Sequence, residues 1–248
     1  MMRTALIVFV PLLLAPQSTT YTPGDFQTAN ANYKNRNPFY FEGRVDWDLL
    51  NITQPANAWE FTQRAIHKQD DLADIPGAIA DYSQALSMNS LVNGSCQLIT
   101  STNAGFGQNT NPPPCMFTPR LRLANLIRQD QPQNAIGLLQ EVLLIDPLRL
   151  NVNAQIGQIY TTMGFYPQAI AAYQAELALS PVNKRLTHDQ ANNAHVHWAL
   201  AEIYRLTNDA LNEGRELTLY LDATRWHSDT YPWRITLAKK RLAQLPAQ

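Results

Sequence analysis

The chain has 248 residues, a formal net charge of −1 and only 16% charged residues. This length is sufficient for a sizeable core in one large domain or two small ones. The near-neutral balance provides no broad basic surface of the kind that binds nucleic acid or anionic membranes. Alanine, leucine, glutamine and asparagine dominate and only 10 glycines occur, which favours helices over a strand-rich sandwich.

Residues 1–20 differ from the rest of the chain. A short basic start, Met1-Met2-Arg3, precedes an almost wholly apolar run from Thr4 to Pro16. A helix of this length rises only about 20 Å, which is short of the ~30 Å hydrocarbon core of a bilayer. The segment therefore predicts a secretory signal peptide, with a retained N-terminal anchor as the alternative. We expect export to the periplasm or the cell exterior, with membrane association only through a retained N-terminus.

Two cysteines occur in the sequence, Cys96 and Cys115. In an exported chain, an even pair in one loop predicts a disulfide. It would close a loop of about 20 residues and stabilise the fold by ~3 kcal/mol. Two free thiols in a cytosolic protein are the alternative. Zinc is not expected, because two cysteines without a neighbouring histidine supply too few ligands.

The chain contains an internal repeat. The separation from Ala135 to Ala169 is 34 residues, and the separation from Pro147 to Pro181 is again 34. Spacings of this size are typical of helical-repeat proteins. The three aligned segments are Gly77–Ser90 (GAIADYSQALSMNS), Asn134–Pro147 (NAIGLLQEVLLIDP) and Gln168–Pro181 (QAIAAYQAELALSP).

The third repeat carries the strongest signature, IGQIYTTMGFYPQAIAAY. Its small and aromatic residues are spaced so that the chain resembles the tetratricopeptide repeat (TPR) family, in an exported bacterial form. Gly157 and Ala169 are expected where two antiparallel helices approach closely, with Tyr160 and Tyr173 filling the space around them. The resemblance implies an all-α fold, an α-α superhelical solenoid of about four TPR-like helix pairs.

The remaining repeats depart from this pattern. In the fourth, Ala201 and Tyr204 are placed as Gly157 and Tyr160 are, but Glu213 or Gly214 stands where a small alanine belongs. The predicted organisation is a signal peptide or anchor at 1–20, an aromatic and Asn-rich arm at 21–55, TPR-like repeats at 56–222 with loop insertions at about 91–115 and 182–193, and a C-terminal capping helix at 223–248.

No sequence motif indicates catalysis or a cofactor. The chain has no GxSxG, no glycine-rich phosphate loop, no CxxCH and no HExxH. His188, Asp189, His195 and His197 form the best metal candidate, but His195 and His197 point about 200° apart on a predicted helix. The acidic residues Asp70, Asp71 and Asp74 lack the glycine turn of a calcium loop, so a solvated connector is the expected role.

The family resemblance places partner binding in a concave groove lined by the first helix of each repeat. The surface it implies is mostly neutral, with an arginine at each end and an exposed aromatic side chain, Trp198. A groove filled by the chain's own arm or final helix is the alternative. The corresponding residues are Phe117, Arg120, Ala124, Ile127, Asn151, Ala154, Gln158, Thr161, His195, Trp198, Glu202 and Arg205.

These observations predict a non-enzymatic scaffold or assembly subunit of an exported complex. Its partners would be proteins, either an extended peptide or subunits of an envelope complex, and self-association is also envisaged. One alternative is a structural subunit of a membrane-bound complex or extracellular filament. The other is a metal-binding or enzymatic protein that uses residues 188–197.

Overall fold

The computed structural model describes residues 55, 57–98, 115–179, 193–224 and 232–245. These residues form an all-α helical repeat fold, as the sequence predicted. The helices are α1 (Ala58–Asp70), α2 (Ile75–Met88), α3 (Thr118–Ile127), α4 (Pro132–Ile145), α5 (Val152–Thr162), α6 (Tyr166–Leu179), α7 (Ala194–Leu206), α8 (Ala210–Thr224) and α9 (Pro232–Leu242).

The helices pack as consecutive pairs, α1 with α2, α3 with α4, α5 with α6 and α7 with α8. These pairs are repeats 1 to 4. The chain divides into two compact units, an N-terminal unit (residues 1–88) that holds repeat 1 and a C-terminal unit (residues 89–248) that holds the rest. None of the helices in the described ranges is long and apolar enough to cross a membrane.

One backbone hydrogen bond recurs at the start of the second helix of every repeat. The donors and acceptors are Ala78 N and Asp74 O (2.9 Å), Ala135 N and Gln131 O (3.0 Å), Ala169 N and Phe165 O (3.0 Å), and Glu213 N and Asp209 O (2.9 Å). The residue before the acceptor has a left-handed backbone at Ala73, Gly164 and Asn208. Glu213, and not Gly214, therefore occupies the position that holds alanine in the other repeats.

Side chains at and after this shared position form the interior of each pair. Ala169 and Tyr173 in repeat 3 are buried, as are Leu217 and Tyr220 in repeat 4. A Cβ atom built on Gly157 would lie 3.0 Å from the ring of Tyr173. The prediction that α5 and α6 approach closely at Gly157 is therefore confirmed, and a larger side chain there would push the ring away.

Within the C-terminal unit the pairs are stacked, because the second helix of each repeat also packs against the next first helix: α4 against α5, α6 against α7, and α8 against α9. Helix α9 thus takes the place of a next first helix. Its Ala238 is buried against Trp198, Leu217 and Tyr220. Such a helix closes the end of the stack.

The cysteines form a disulfide between Cys96 and Cys115, with a Cα–Cα distance of 5.0 Å. The amide of Cys115 also donates to the carbonyl of Gln97, at 2.9 Å, so a backbone hydrogen bond joins the two chain segments beside the disulfide. The predicted signal segment at 1–20, residues 21–54 of the predicted arm, residues 99–114 and 182–192 of the predicted loop insertions, and Pro181 lie outside the described residues, and so do His188 and Asp189.

Candidate partner-binding surface

The predicted groove residues fall into two groups in the structure. Asn151, Gln158, His195 and Arg205 are exposed, and Phe117, Thr161 and Glu202 are half-buried. The buried members are Arg120, Ala124, Ile127, Ala154 and Trp198. The expectation that Arg120 and Trp198 belong to an exposed surface is therefore wrong, and Ile127 belongs to the core as well.

Arg120 is 0% exposed because its guanidinium holds the chain leading into α3. Its Nε donates to Glu141 Oε2 of α4 at 2.6 Å, and its Nη2 donates to the carbonyl oxygen of Asn89 at 2.8 Å. Its Nη1 contacts the carbonyl of Met116, whose amide donates to Asn89 Oδ1 at 2.8 Å. A buried guanidinium is tolerated only when its donors are satisfied in this way. Arg120 therefore has a structural role.

Trp198 is 8% exposed because α8 and α9 cover it. Its ring lies 5.2 Å from that of Tyr220 and 6.0 Å from that of Trp233, in an edge-on arrangement with the latter. The guanidinium carbons of Arg234 and Arg241 lie 5.4 and 5.6 Å from its ring centroid, within cation–π range. The final helix thus lies over the predicted groove residue Trp198.

Glu213 connects α8 to α9. Although it stands at the alanine position of the repeat, it is 6% exposed and its carboxylate accepts from Arg241 Nη2 at 2.6 Å and Nε at 2.8 Å. Arg241 also contacts Glu202 of α7. One arginine of the final helix is thus held by carboxylates from both helices of repeat 4, which fixes α9 against that pair.

The exposed groove residues lie on α5 and α7, with Asn151 at the N-terminal cap of α5. Arg128, at the end of α3, donates from Nη1 to Gln158 Oε1 of α5 at 3.1 Å. Arg205, in the last turn of α7, lies 3.1 Å from Glu202 and its side chain is 50% exposed. Arg128 was not predicted from the sequence. The sequence feature that could have indicated it is its position directly after Ile127, a predicted groove residue at the end of a first helix.

The charges of the C-terminal unit are segregated by helix type. The first-type helices α3, α5, α7 and α9 carry seven cationic residues and one acidic residue, Glu202. The second-type helices α4, α6 and α8 carry five acidic residues and one cation, Arg215. The cations are Arg120, Arg122, Arg205, Arg234, Lys239, Lys240 and Arg241, and the acids are Glu141, Glu176, Glu213, Glu216 and Asp222.

The histidines proposed as metal ligands are arranged differently from a metal site. His197 Nδ1 lies 2.7 Å from Glu216 Oε2 of α8, so this ring is engaged in the helix pair. His195 keeps an exposed edge, yet desolvation of its ring, with the positive charges of Arg234 and His197, lowers its pKa. Within the described ranges, no group of three or more His, Cys, Asp or Glu side chains could hold a metal ion.

The acidic connector of repeat 1 is built into the helix ends around it. Asp74 Oδ1 accepts from the amide of Gly77 at 2.9 Å, which caps the first turn of α2. Asp71 Oδ2 lies 2.8 Å from His67 Nδ1. These contacts give Asp71 and Asp74 structural roles at the turn.

Two titratable groups lie in the interior of repeat 3. Burial raises the pKa of Tyr173, and a hydrogen bond with Thr161 partly opposes this effect. Burial also raises the pKa of Glu176, although the backbone amides of Asn151 and Ala154 donate to its carboxylate at 2.7 and 3.2 Å. Glu176, which lies on α6, therefore accepts hydrogen bonds from backbone amides at the start of α5, where a helix leaves its first amides without partners.

Comparisons with known proteins support the fold. The structure is similar to the crystal structure of MamA, a TPR-like solenoid, with a TM-score of 0.56 and 13% sequence identity, over 80% of this chain and 96% of that one. A structure described as "MamA MSR-1 C2" matches with a TM-score of 0.46 and 15% identity, over 68% of this chain and 76% of that one. No protein-family model matches the sequence, and no curated protein does. The likeness to MamA establishes a TPR-like helical repeat fold.

Proposed function

We propose that this protein is an exported, non-catalytic scaffold that binds an extended acidic segment of a partner protein along the first-type helices of its C-terminal unit. The observation that carries the proposal is the segregation of charge by helix type, in which Arg205 on α7 and Lys239 and Lys240 on α9 are exposed. A surface of one sign attracts partners of the other and increases their association rate.

The accessible residues on these helices suit such a partner: Arg205, Asn151 and Gln158 are exposed, and Arg128 is half-buried. Arg128 and Arg205 offer planar cationic groups that pair with carboxylates. Between them, Asn151 and Gln158 can donate to and accept from the backbone of an extended peptide. The buried residues Arg120 and Trp198 support the surface from beneath and do not contact the partner.

Export is part of the proposal. It rests on the apolar run from Thr4 to Pro16 together with the disulfide between Cys96 and Cys115, since such bonds persist in oxidising compartments. Mass spectrometry of the protein from its native cells checks this point. We expect a chain that lacks its first residues and loses two protons' mass through the disulfide. A full-length chain with two free thiols would contradict export.

Binding is tested by fluorescence anisotropy with a labelled Glu-Ala repeat peptide, using a Lys-Ala repeat peptide as the control. We expect the acidic peptide to bind at low salt, and the double substitution Arg128→Glu with Arg205→Glu to weaken it about tenfold or more. Arg215→Glu on α8 is the matched control and should leave binding unchanged. Because both groove arginines lie at helix C-termini, which favour cations, each variant's thermal stability is measured alongside. Equal binding of both peptides would disprove the proposal.

A further inference from the structure

One carboxylate on the first-type helices binds two arginines at once. Glu202 of α7 is the one acidic residue on the described helices α3, α5, α7 and α9. Its Oε2 lies 3.1 Å from Nη2 of Arg205, one turn along the same helix, and its Oε1 contacts Nη1 of Arg241 on α9. Glu202 therefore joins an arginine of the proposed binding surface to an arginine of the final helix.

The two arginines are held to different degrees. The Arg205 side chain is 50% exposed, and its contact with Glu202 lies in the last turn of α7. The Arg241 side chain is 11% exposed, and Glu213 of α8 binds it as well, at 2.6 Å from Nη2 and 2.8 Å from Nε. Solvent-exposed ion pairs contribute little to stability, whereas less exposed pairs are screened less by water and salt. Of the two contacts of Glu202, the one with Arg205 is therefore the easier to break.

A carboxylate of a bound partner would compete with Glu202 for Arg205. The partner's carboxylate would meet Glu202 Oε2 at the same guanidinium, and two carboxylates at one cation repel each other. Glu202 has a second cation within reach, because its other oxygen already contacts Arg241. Displacement from Arg205 thus leaves the negative charge of Glu202 directed at the final helix.

We propose that Glu202 is an internal ligand of the acidic-peptide site, and that a partner carboxylate displaces it from Arg205 toward Arg241. In the free protein, Glu202 weakens the attraction of Arg205 for a partner. In the complex, it strengthens the attachment of α9 to repeat 4, so partner binding and docking of the final helix stabilise each other. This coupling rests on the proposed function and deepens it by naming how the site is regulated.

Fluorescence anisotropy with the labelled Glu-Ala peptide measures the competition. Glu202→Gln keeps the shape of the side chain and removes its charge, so we expect it to bind the peptide about threefold more tightly than the wild type. Asp209→Asn is the matched control, because it removes a carboxylate from the turn directly after α7 that is bound to Asn212 instead. It should leave the affinity close to that of the wild type. An equal gain in both variants would assign the effect to net charge and overturn the proposal.

Hydrogen exchange of the α9 amides, followed by mass spectrometry, measures the coupling. Saturating Glu-Ala peptide should slow their exchange about twofold or more in the wild type, because Glu202 then holds Arg241 more firmly. In Glu202→Gln, the peptide should bind without slowing this exchange. Slower exchange in that variant as well would mean that the peptide covers α9 directly, through Lys239 or Lys240, and would overturn the coupling.

A second variant reports the coupling without a peptide, and it decides the question also where Glu202→Gln fails to fold. Arg205→Gln leaves Glu202 to Arg241, so the α9 amides should exchange about twofold more slowly than in the wild type with no ligand present. Arg128→Gln is the control, because Arg128 contacts Gln158 of α5 and should leave the exchange of α9 unchanged.

The outcomes separate the coupling from the proposed function. Slower α9 exchange in Arg205→Gln, in a protein that does not prefer the acidic peptide, would reject the proposed function and retain the link through Glu202. A preference for the acidic peptide, with α9 exchange unchanged both in Arg205→Gln and on peptide binding, would retain the proposed function and overturn the coupling.

Discussion

Repeats 3 and 4 share the same backbone hydrogen bond at the start of their second helix, but they differ at two interior positions. Ala169 of repeat 3 corresponds to Glu213 of repeat 4, and each donates the same amide bond at the start of its helix. Seven residues later, Glu176 corresponds to Tyr220, and both are buried. The helix pair thus accommodates a buried carboxylate at either position, provided that a specific donor forms hydrogen bonds to it.

The two carboxylates have different partners and different consequences. Glu176 accepts backbone amides at the start of α5, so its effect stays within its own repeat. Glu213 binds Arg241, which lies 28 residues further along the chain, so its effect reaches the final helix. The departure from the repeat pattern at Glu213 therefore identifies the place where the helix pair of repeat 4 is joined to the final helix.

The largest effect is expected when the carboxylate of repeat 4 is introduced into repeat 3. Ala169→Glu places a charge at a 0% exposed site that is packed among apolar side chains. We expect a loss of about 3–5 kcal/mol in the free energy of unfolding, measured by urea denaturation. Ala171→Glu, two residues along on the exposed side of α6, is the control and should change stability by less than about 0.5 kcal/mol. Similar losses for both variants would show that position 169 is not special.

The reverse substitution, Glu213→Ala, restores the alanine of the repeat and removes one of the two carboxylates that hold Arg241. We expect a cost of about 2 kcal/mol, because a nearly buried ion pair is broken while Glu202 remains. Release of α9 should increase tryptic cleavage after Lys239 and Lys240. Arg215→Ala on the same helix should leave the digestion pattern unchanged. Unaltered protection of these lysines in Glu213→Ala would mean that α9 is held by its apolar contacts alone.

The repeat frame could be predicted from the sequence because it depends on local spacing. Small residues recur 34 residues apart where helices approach, and Gly157 lies where it was expected, against Tyr173. The sequence left Glu213 and Gly214 as alternatives, since an insertion precedes them. Only the backbone hydrogen bond to Asp209 distinguishes the two.

Exposure could not be predicted in the same way. Arg120 and Trp198 follow the family's groove positions, yet both are buried by segments that are distant in sequence. Arg120 binds Asn89, 31 residues earlier, and Trp198 is covered by α9 through Trp233. Repeat register determines which side of a helix a residue occupies, whereas burial depends on what else packs on that side.

Two glycine substitutions should change the free energy of unfolding in opposite directions, because Gly157 lies where α5 and α6 approach closely and Gly137 on α4 has open space beside it. Gly157→Val should destabilise the protein by about 1–3 kcal/mol, because its side chain would collide with the ring of Tyr173. Gly137→Ala on α4 should stabilise it by about 0.5–1 kcal/mol, since nothing lies within 4 Å of an added Cβ and alanine is the better helix former. Thermal denaturation measures both. A stabilising Gly157→Val would contradict the close packing of α5 on α6.

The smallest expected effect is in pH dependence, and it again separates repeat 3 from repeat 4. Burial raises the pKa of Glu176 above its ordinary value of 4.5, so the folded protein binds more protons than the unfolded chain just above that pH. The stability of the wild type relative to Glu176→Gln should therefore be greatest below pH 4.5 and fall as the pH rises through the folded-state pKa. In repeat 4, hydrogen bonds from Asn212 lower the pKa of Asp209 below 3.8, so stability relative to Asp209→Asn should fall in the opposite direction, as the pH drops through that range. Urea denaturation of the two variants and the wild type between pH 3 and pH 7 measures both slopes. Slopes of the same sign would show that burial does not govern Glu176.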